Sequence, residues 1–198
     1  MMPTIIEGDN SMRSIILGGL LAAAFAATPA LATEQTGGWE GRTFVVSAAF
    51  GGLFQDVSEN PDDTSDLGFD AKLKIGAQIA PTWAGHLELA IGRAEFDVAG
   101  DDLELERFSA FAMGQYRAPI AGFVRPYAEA GIGFVQFDPE DGDSAEGVGF
   151  KGGLGADFAL APQASMFFEG HYAYYPEVDD DVDIGEVTFG VGVSYRFK

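Results

Sequence analysis

The feature that most restricts this chain is the two-residue alternation of its final stretch. Val187, Phe189, Val191, Val193, Tyr195 and Phe197 hold one parity, and Glu186, Thr188, Gly190, Gly192, Ser194 and Arg196 the other. Successive side chains of an extended strand point to opposite faces, so this stretch reads as a β-strand whose faces meet different surroundings. Two earlier segments repeat the pattern. Val148, Phe150, Leu154, Ala156 and Phe158 oppose Gly149, Lys151, Gly153, Gly155 and Asp157, while Phe69, Ala71, Leu73, Ile75 and Ile79 oppose Asp70, Lys72, Lys74, Gly76 and Gln78. After Leu103 the apolar parity changes, odd at Leu103 and Leu105 but even from Phe108 to Tyr116, which predicts a bulge or a change of environment near Arg107.

Two kinds of punctuation separate these segments. Ala80-Pro81, Ala118-Pro119 and Ala161-Pro162 read as tight connections, because proline gives no N–H to a ladder and presets a turn. Four base-free acidic stretches alternate with them: Asp56 to Asp66, Asp97 to Glu106, Asp138 to Glu146 and Glu177 to Asp183. Long acidic loops alternating with short turns make four hairpins and therefore eight strands. Propeller blades would need four strands in each repeat of roughly 40 residues, and only two fit.

The N-terminal segment reads as an address. Arg13, the apolar run Ile15–Ala27 and the small-residue exit Ala30-Leu31-Ala32 have the order of a secretory signal peptide, with a short buried helix as the alternative. Residues 1–32 are thus expected to be cleaved, residues 1–11 being an upstream extension if translation starts at Met12. Residues 33–198 are expected to form the barrel domain. A net charge of −20 repels a phosphate backbone and argues against nucleic acid as a partner, and the lack of cysteine removes disulfide scaffolds and thiolate metal sites.

Periodicity alone does not say whether the apolar face looks at a core or at lipid. A soluble lipocalin-like carrier would put it inside, with long charged side chains studding the exterior. Here the polar parity mixes glycine, serine and alanine with a few charges of both signs, as a narrow filled interior requires, and the large residues are assigned to the opposite face. Strands of about 9–11 residues cross a bilayer at the usual tilt, and hydrogen bonding in lipid requires closure. Trp83, Tyr116, Tyr195 and Phe197 toward the Ala-Pro side, and Phe54, Phe69, Tyr172 and Tyr174 toward the acidic side, would form the girdles of such a barrel. The expected fold is all-β: an eight-stranded antiparallel up-and-down transmembrane β-barrel.

With Gly37-Gly38-Trp39 before the first strand, Pro126–Gly133 on the fifth, and the ending Gly190–Phe197, the mature chain resembles the OmpA-like, or opacity-type, eight-stranded outer-membrane β-barrel family of Gram-negative bacteria. Lys198 follows the aromatic residue on which that family usually finishes. The resemblance implies residence in the outer membrane, contact with its lipids and lipopolysaccharide, and recognition of the C-terminal strand by the barrel-assembly machinery. It implies a monomer without cofactor.

The inward parity collects Lys72, Lys74, Arg107, Arg125, Lys151 and Arg196 with Asp70, Glu88, Glu129, Asp157, Glu169 and Glu186. Buried charges must be paired, so these are expected to form an ion-pair network filling the barrel, with a narrow ion path through partner exchange as the functional alternative. His171, with Glu169 and Ser165 on its face, loosely evokes a base, an orienting carboxylate and a nucleophile. Compared with a barrel lipid A deacylase, the serine expected two residues on is replaced by Ala173, so a lipid-modifying enzyme stays the alternative to a structural or surface-interaction role. His86 is treated as a lumen residue. Asp138, Glu140, Asp141, Asp143, Asp179, Asp180 and Asp181 group hard oxygen ligands suited to calcium or magnesium, without the spacing of a helical calcium loop. Solvated charge, divalent-bridged contact with lipopolysaccharide or repulsion of anionic ligands would equally account for them, and an extracellular ligand of these loops is a further expected partner.

Overall fold

The computed structural model describes residues 43–57, 67–80, 82–98, 101–118, 123–139, 144–178 and 182–197. They form eight strands: β1 (Phe44–Val57), β2 (Gly68–Ala80), β3 (Trp83–Val98), β4 (Asp101–Arg117), β5 (Val124–Pro139), β6 (Ala145–Ala159), β7 (Ala164–Val178) and β8 (Val182–Phe197). Each pairs antiparallel with its neighbour in sequence, and β1 pairs with β8, closing the barrel. Closure leaves no strand edge with unpaired backbone groups, the condition for a sheet surrounded by lipid. The segment expected to be a signal peptide lies outside the described residues.

The outward parity carries an apolar band with sharp limits. On β3 it runs from Trp83 to Ile91 and ends at exposed Arg93; on β4 it runs from Tyr116 to Phe108 and ends at exposed Glu106. On β6 it runs from Phe158 to Val148, ending at exposed Glu146, and on β8 from Phe197 to Val187. These spans of 9 to 11 residues are the length with which a tilted strand crosses hydrocarbon. Leu154 at 70% exposure and Phe50 at 62% are among the most exposed residues of the band. Trp83 packs on Tyr116 with ring centroids 5.1 Å apart, and Tyr195 on Phe197 at 4.7 Å, forming the girdle at the Ala-Pro end. At the other end Phe54 and Phe189 stand 6.0 Å apart.

One expectation is resolved between its two alternatives, and two are corrected. The register of β4 is continuous with both neighbours through Arg107, so no bulge lies there; shifts occur at Gln78/Ala80 and Tyr175/Val178, the latter beside Pro176, which has no N–H to give. The apolar parity changes because the surroundings do: Leu105 points inward and packs on an apolar cluster inside the acidic end. That cluster comprises Phe111, Met113, Val135, Phe137, Ala173, Tyr175, Val178 and Ile184, so large residues are not confined to the outer face. Inward glycines make this possible. A Cβ at Gly149 would collide with the Tyr175 ring and one at Gly155 with the Tyr127 ring, so the smallest residue on one strand admits the largest on the next.

The second correction concerns the acidic stretches, which are not uniformly long loops. β3 and β4 are joined by residues 99–100 alone, and Asp97 and Asp101 to Glu106 belong to strands. Residues 179–181 join β7 to β8, while residues 58–67 make the one long connection. β4 has 17 residues, well over what the apolar band needs, so the acidic segments continue the ladder beyond it. Tight hairpins of this kind need no extra chain once the strands overrun the membrane.

Candidate functional site: the charged lumen

Period-two geometry delivers one inward side chain from every second residue of all eight strands, and their charges meet on the barrel axis. At the centre, Lys74 Nζ lies 2.8 Å from Glu129 Oε1, 2.5 Å from Glu169 Oε2 and 3.4 Å from Glu88 Oε2. Lys151 Nζ donates to the other oxygen of Glu88 at 2.7 Å. Lys72 Nζ lies 3.2 Å from Asp70 and 3.7 Å from Glu169, and donates to Thr188 Oγ1 at 2.8 Å. Toward the acidic end, Arg107 bridges Asp70 and Glu186. Gln55 Nε2 donates to Glu186 at 3.4 Å, bringing β1 into the lattice. All these charged side chains are buried, so each charge relies on its partners to replace the water it has lost.

Nine of the ten residues expected in the network face the lumen. Lys72, Lys74, Glu88, Arg107, Glu129, Lys151, Glu169 and, among those also counted on the inward parity, Asp70 and Glu186 form one connected lattice. Asp157 and Arg196 sit at the Ala-Pro mouth, 3.8 Å apart. Arg125 is the exception, and a correction: its register partner is Asp157, but so close to the start of β5 its side chain is exposed at the rim, where solvent replaces a buried partner.

Several members were not foreseen. Arg117 reaches within 3.5 Å of Asp157, Gln115 donates to Glu129 at 2.9 Å, and Tyr127 donates to Glu169 at 3.0 Å. The signal was present, since Gln115 and Arg117 share the parity of Arg107. Tyr127 was hidden by the assignment of large residues to the lipid face.

The histidines are absorbed into the lattice. His171 Nε2 stands 2.5 Å from Glu129, and its Nδ1 is 3.4 Å from Lys72 Nζ. His86 Nε2 is 3.7 Å from Glu129. Ser165 lies six residues from His171 on the same strand, about 20 Å away along it, so the loosely evoked triad is not assembled. His86, Glu88 and Glu129, and likewise Glu88, Glu169 and His171, are close enough to grip one ion. The Lys74 ammonium already serves the three carboxylates of these groups, which is the neutralisation a divalent ion would otherwise supply. Of the loop cation candidates, Asp138 lies in β5 and accepts hydrogen bonds from Gln136 Nε2 at 3.2 and 3.4 Å. Glu140, Asp141, Asp143, Asp179, Asp180 and Asp181 lie outside the described residues.

The apolar cluster closes the lumen over this lattice. Phe137 and Tyr175 meet edge to face at 5.5 Å, Phe111 and Tyr175 at 6.2 Å, and Lys151 Nζ lies 5.4 Å from the Phe111 ring centre. At the opposite end the interior opens into a recess of about 30 Å³ lined by Ser47, His86, Gln115, Arg117, Tyr127 and Asp157 among others. That is room for about one water molecule.

The barrel has structural counterparts. Neisserial surface protein A has 19% sequence identity and a TM-score of 0.61, the match covering 79% of this chain and 99% of that one. The outer membrane protein OprG of Pseudomonas aeruginosa has 17% identity and a TM-score of 0.57, covering 78% and 95%. A major outer membrane protein of Thermus thermophilus has 16% identity and a TM-score of 0.55, covering 80% and 100%. At these identities the likeness is one of fold. A search of curated proteins returns no match. The sequence itself matches a family over residues 18–197, and with the closed barrel and its lipid-facing band this makes the chain a member of the outer membrane protein beta-barrel domain family, resident in the outer membrane.

Proposed function

We propose that the protein is a non-catalytic barrel with a structural or surface-interaction role, presenting an acidic rim outside the cell on a plugged, rigid support. The observation that carries this is the state of the lumen: the carboxylates and histidines that could do chemistry serve as partners for Lys72, Lys74, Lys151 and Arg107, and aromatic rings cover them. A general acid or nucleophile needs access to substrate, and these groups face away from both lipid and the cell surface. In this reading the short Ala-Pro connections and the chain's C-terminal strand face the periplasm, as is usual for such barrels. The partners are outer-membrane lipids, lipopolysaccharide reached through divalent ions on the acidic rim, an extracellular ligand of that rim, and the assembly machinery at the Tyr195–Phe197 ending. The barrel acts as a monomer.

Planar-bilayer recordings on pure folded monomer test the plug. No large stable conductance is expected, since an eight-stranded interior is filled by side chains. A steady porin-like current would overturn the structural reading. Hydrolysis of lipid A by the same preparation, abolished in His171→Ala, would replace it with an enzymatic one.

A further inference from the structure

The Ala-Pro mouth carries charge of the opposite sign to the rest of the protein. Arg117 and Arg196 approach one carboxylate, Asp157, and Arg125 is its register partner at the exposed rim, while the next acids inward, Glu129 and Glu169, are engaged by Lys74. The cluster is therefore positive by two charges in a chain whose net charge is −20. Arg117 Nε and Arg196 Nη2 approach the same oxygen, Asp157 Oδ2, at 3.5 and 3.8 Å, both longer than a hydrogen bond. Asp157 Oδ2, Arg117 Nε and Arg196 Nε are buried without hydrogen-bond partners, as is Ser165 Oγ, an inward hydroxyl of β7 that neighbours Ala159 of β6 and Ser194 of β8 in register.

Elsewhere in the lumen each buried cation has a carboxylate oxygen within 3.2 Å, although single atoms such as Arg107 Nε and Glu169 Oε1 also lack hydrogen-bond partners; here no cation comes that close and the donors outnumber the acceptors. Guanidinium groups are planar forks suited to phosphate and carboxylate oxygens, and three of them over one aspartate leave donors directed at no acceptor. We propose that this mouth is an oxyanion-binding site at which a phosphate group docks from the periplasmic side across the opening, above the one-water recess rather than within it, with Arg117 and Arg196 as its inner donors and Arg125 as the donor at the rim. Asp157 holds the inner arginines in place and weakens the site by competing with the anion. Glu169 lines the same recess, but its charge is taken up by Lys74 and Tyr127; the acids of the opposite rim lie well beyond the screening distance of about 8 Å in physiological salt. The phosphate can belong to a lipid headgroup of the inner leaflet, at whose level the Trp83–Tyr116 girdle sits, or to a free anion.

Two arms of one experiment separate these sources. Titration of the detergent-solubilised, folded barrel with pyrophosphate is expected to give saturable heat if free anions enter. Barrel reconstituted in phosphatidylcholine nanodiscs containing phosphatidylglycerol is expected to retain the anionic lipid selectively, read by native mass spectrometry, if the ligand is a headgroup. In whichever arm binds, Arg117→Gln with Arg196→Gln should weaken binding by about tenfold or more, the worth of a charge-assisted hydrogen bond. Arg125→Gln, at the exposed rim and harmless to folding, should weaken it less. Asp157→Asn should tighten it, which a merely structural cluster would not do. Heat-modifiable gel migration confirms that each variant is folded. Absence of binding in both arms, or affinity indifferent to Arg125→Gln and Asp157→Asn, overturns the proposal.

Discussion

Lys74 shows what a single residue does in this lumen. Its ammonium is the shared partner of Glu88, Glu129 and Glu169, each from a different strand. Replacing it with Ala leaves three carboxylates gathered without their cation, and removing one partner of a buried ionic cluster costs about 3–5 kcal/mol. The expected outcome for Lys74→Ala is a lower urea midpoint for loss of the heat-modifiable band. The change at exposed Arg125 should leave the unfolding free energy within about 0.5 kcal/mol of the wild type. Most of the network was legible because buried charge must pair, so parity alone selected Lys74, Glu129 and Glu169. Arg125 shows where parity stops: it tells which way a side chain points but not how far from the strand end burial begins.

At the scale of the strand, the apolar band and its abrupt limit are the determinants. Leu154 and Glu146 belong to the same outward face of β6, one well inside the band and the other past its edge. Leu154→Arg should cost about 2–4 kcal/mol by placing a charge in hydrocarbon, whereas Glu146→Arg should cost about 0–1 kcal/mol. Equilibrium unfolding in lipid vesicles reads both. Strand count, pairing order and outward parity followed from alternation and from the Ala-Pro pairs. The interior's apolar cap did not. Phe111, Phe137 and Tyr175 carry the inward parity, yet aromatic residues in a lipid-facing barrel are expected outside, and the compensating glycines, such as Gly149 opposite Tyr175, lie far away in sequence. The acidic stretches misled in another way, since charge signals exposure to water, and strands that leave the membrane are as exposed as loops.

For the whole molecule, the segregation of charge matters more than its total. Repulsion is concentrated at the acidic rim, where Glu95 stands opposite Glu104 and Glu106 opposite Asp138 in register, Glu104 being also paired with Arg93. Like charges directly opposite one another destabilise a sheet, and added salt screens them. The urea midpoint of the wild type should therefore rise with sodium chloride. In a variant combining Glu95→Gln and Glu106→Gln the rise should be smaller; an equal rise in both would place the salt effect elsewhere. The overrun of β4 past its last lipid-facing ring, Phe108, amounts to seven residues, a height of roughly 18 Å at the tilt usual for such barrels. Hydrogen-bonded sheet of that height is a stiff palisade rather than a fringe of tethers. With this end outside the cell, as proposed, whatever grips the β3–β4 hairpin meets charge carried at a set altitude on a preformed surface instead of a loose strap to fold around itself.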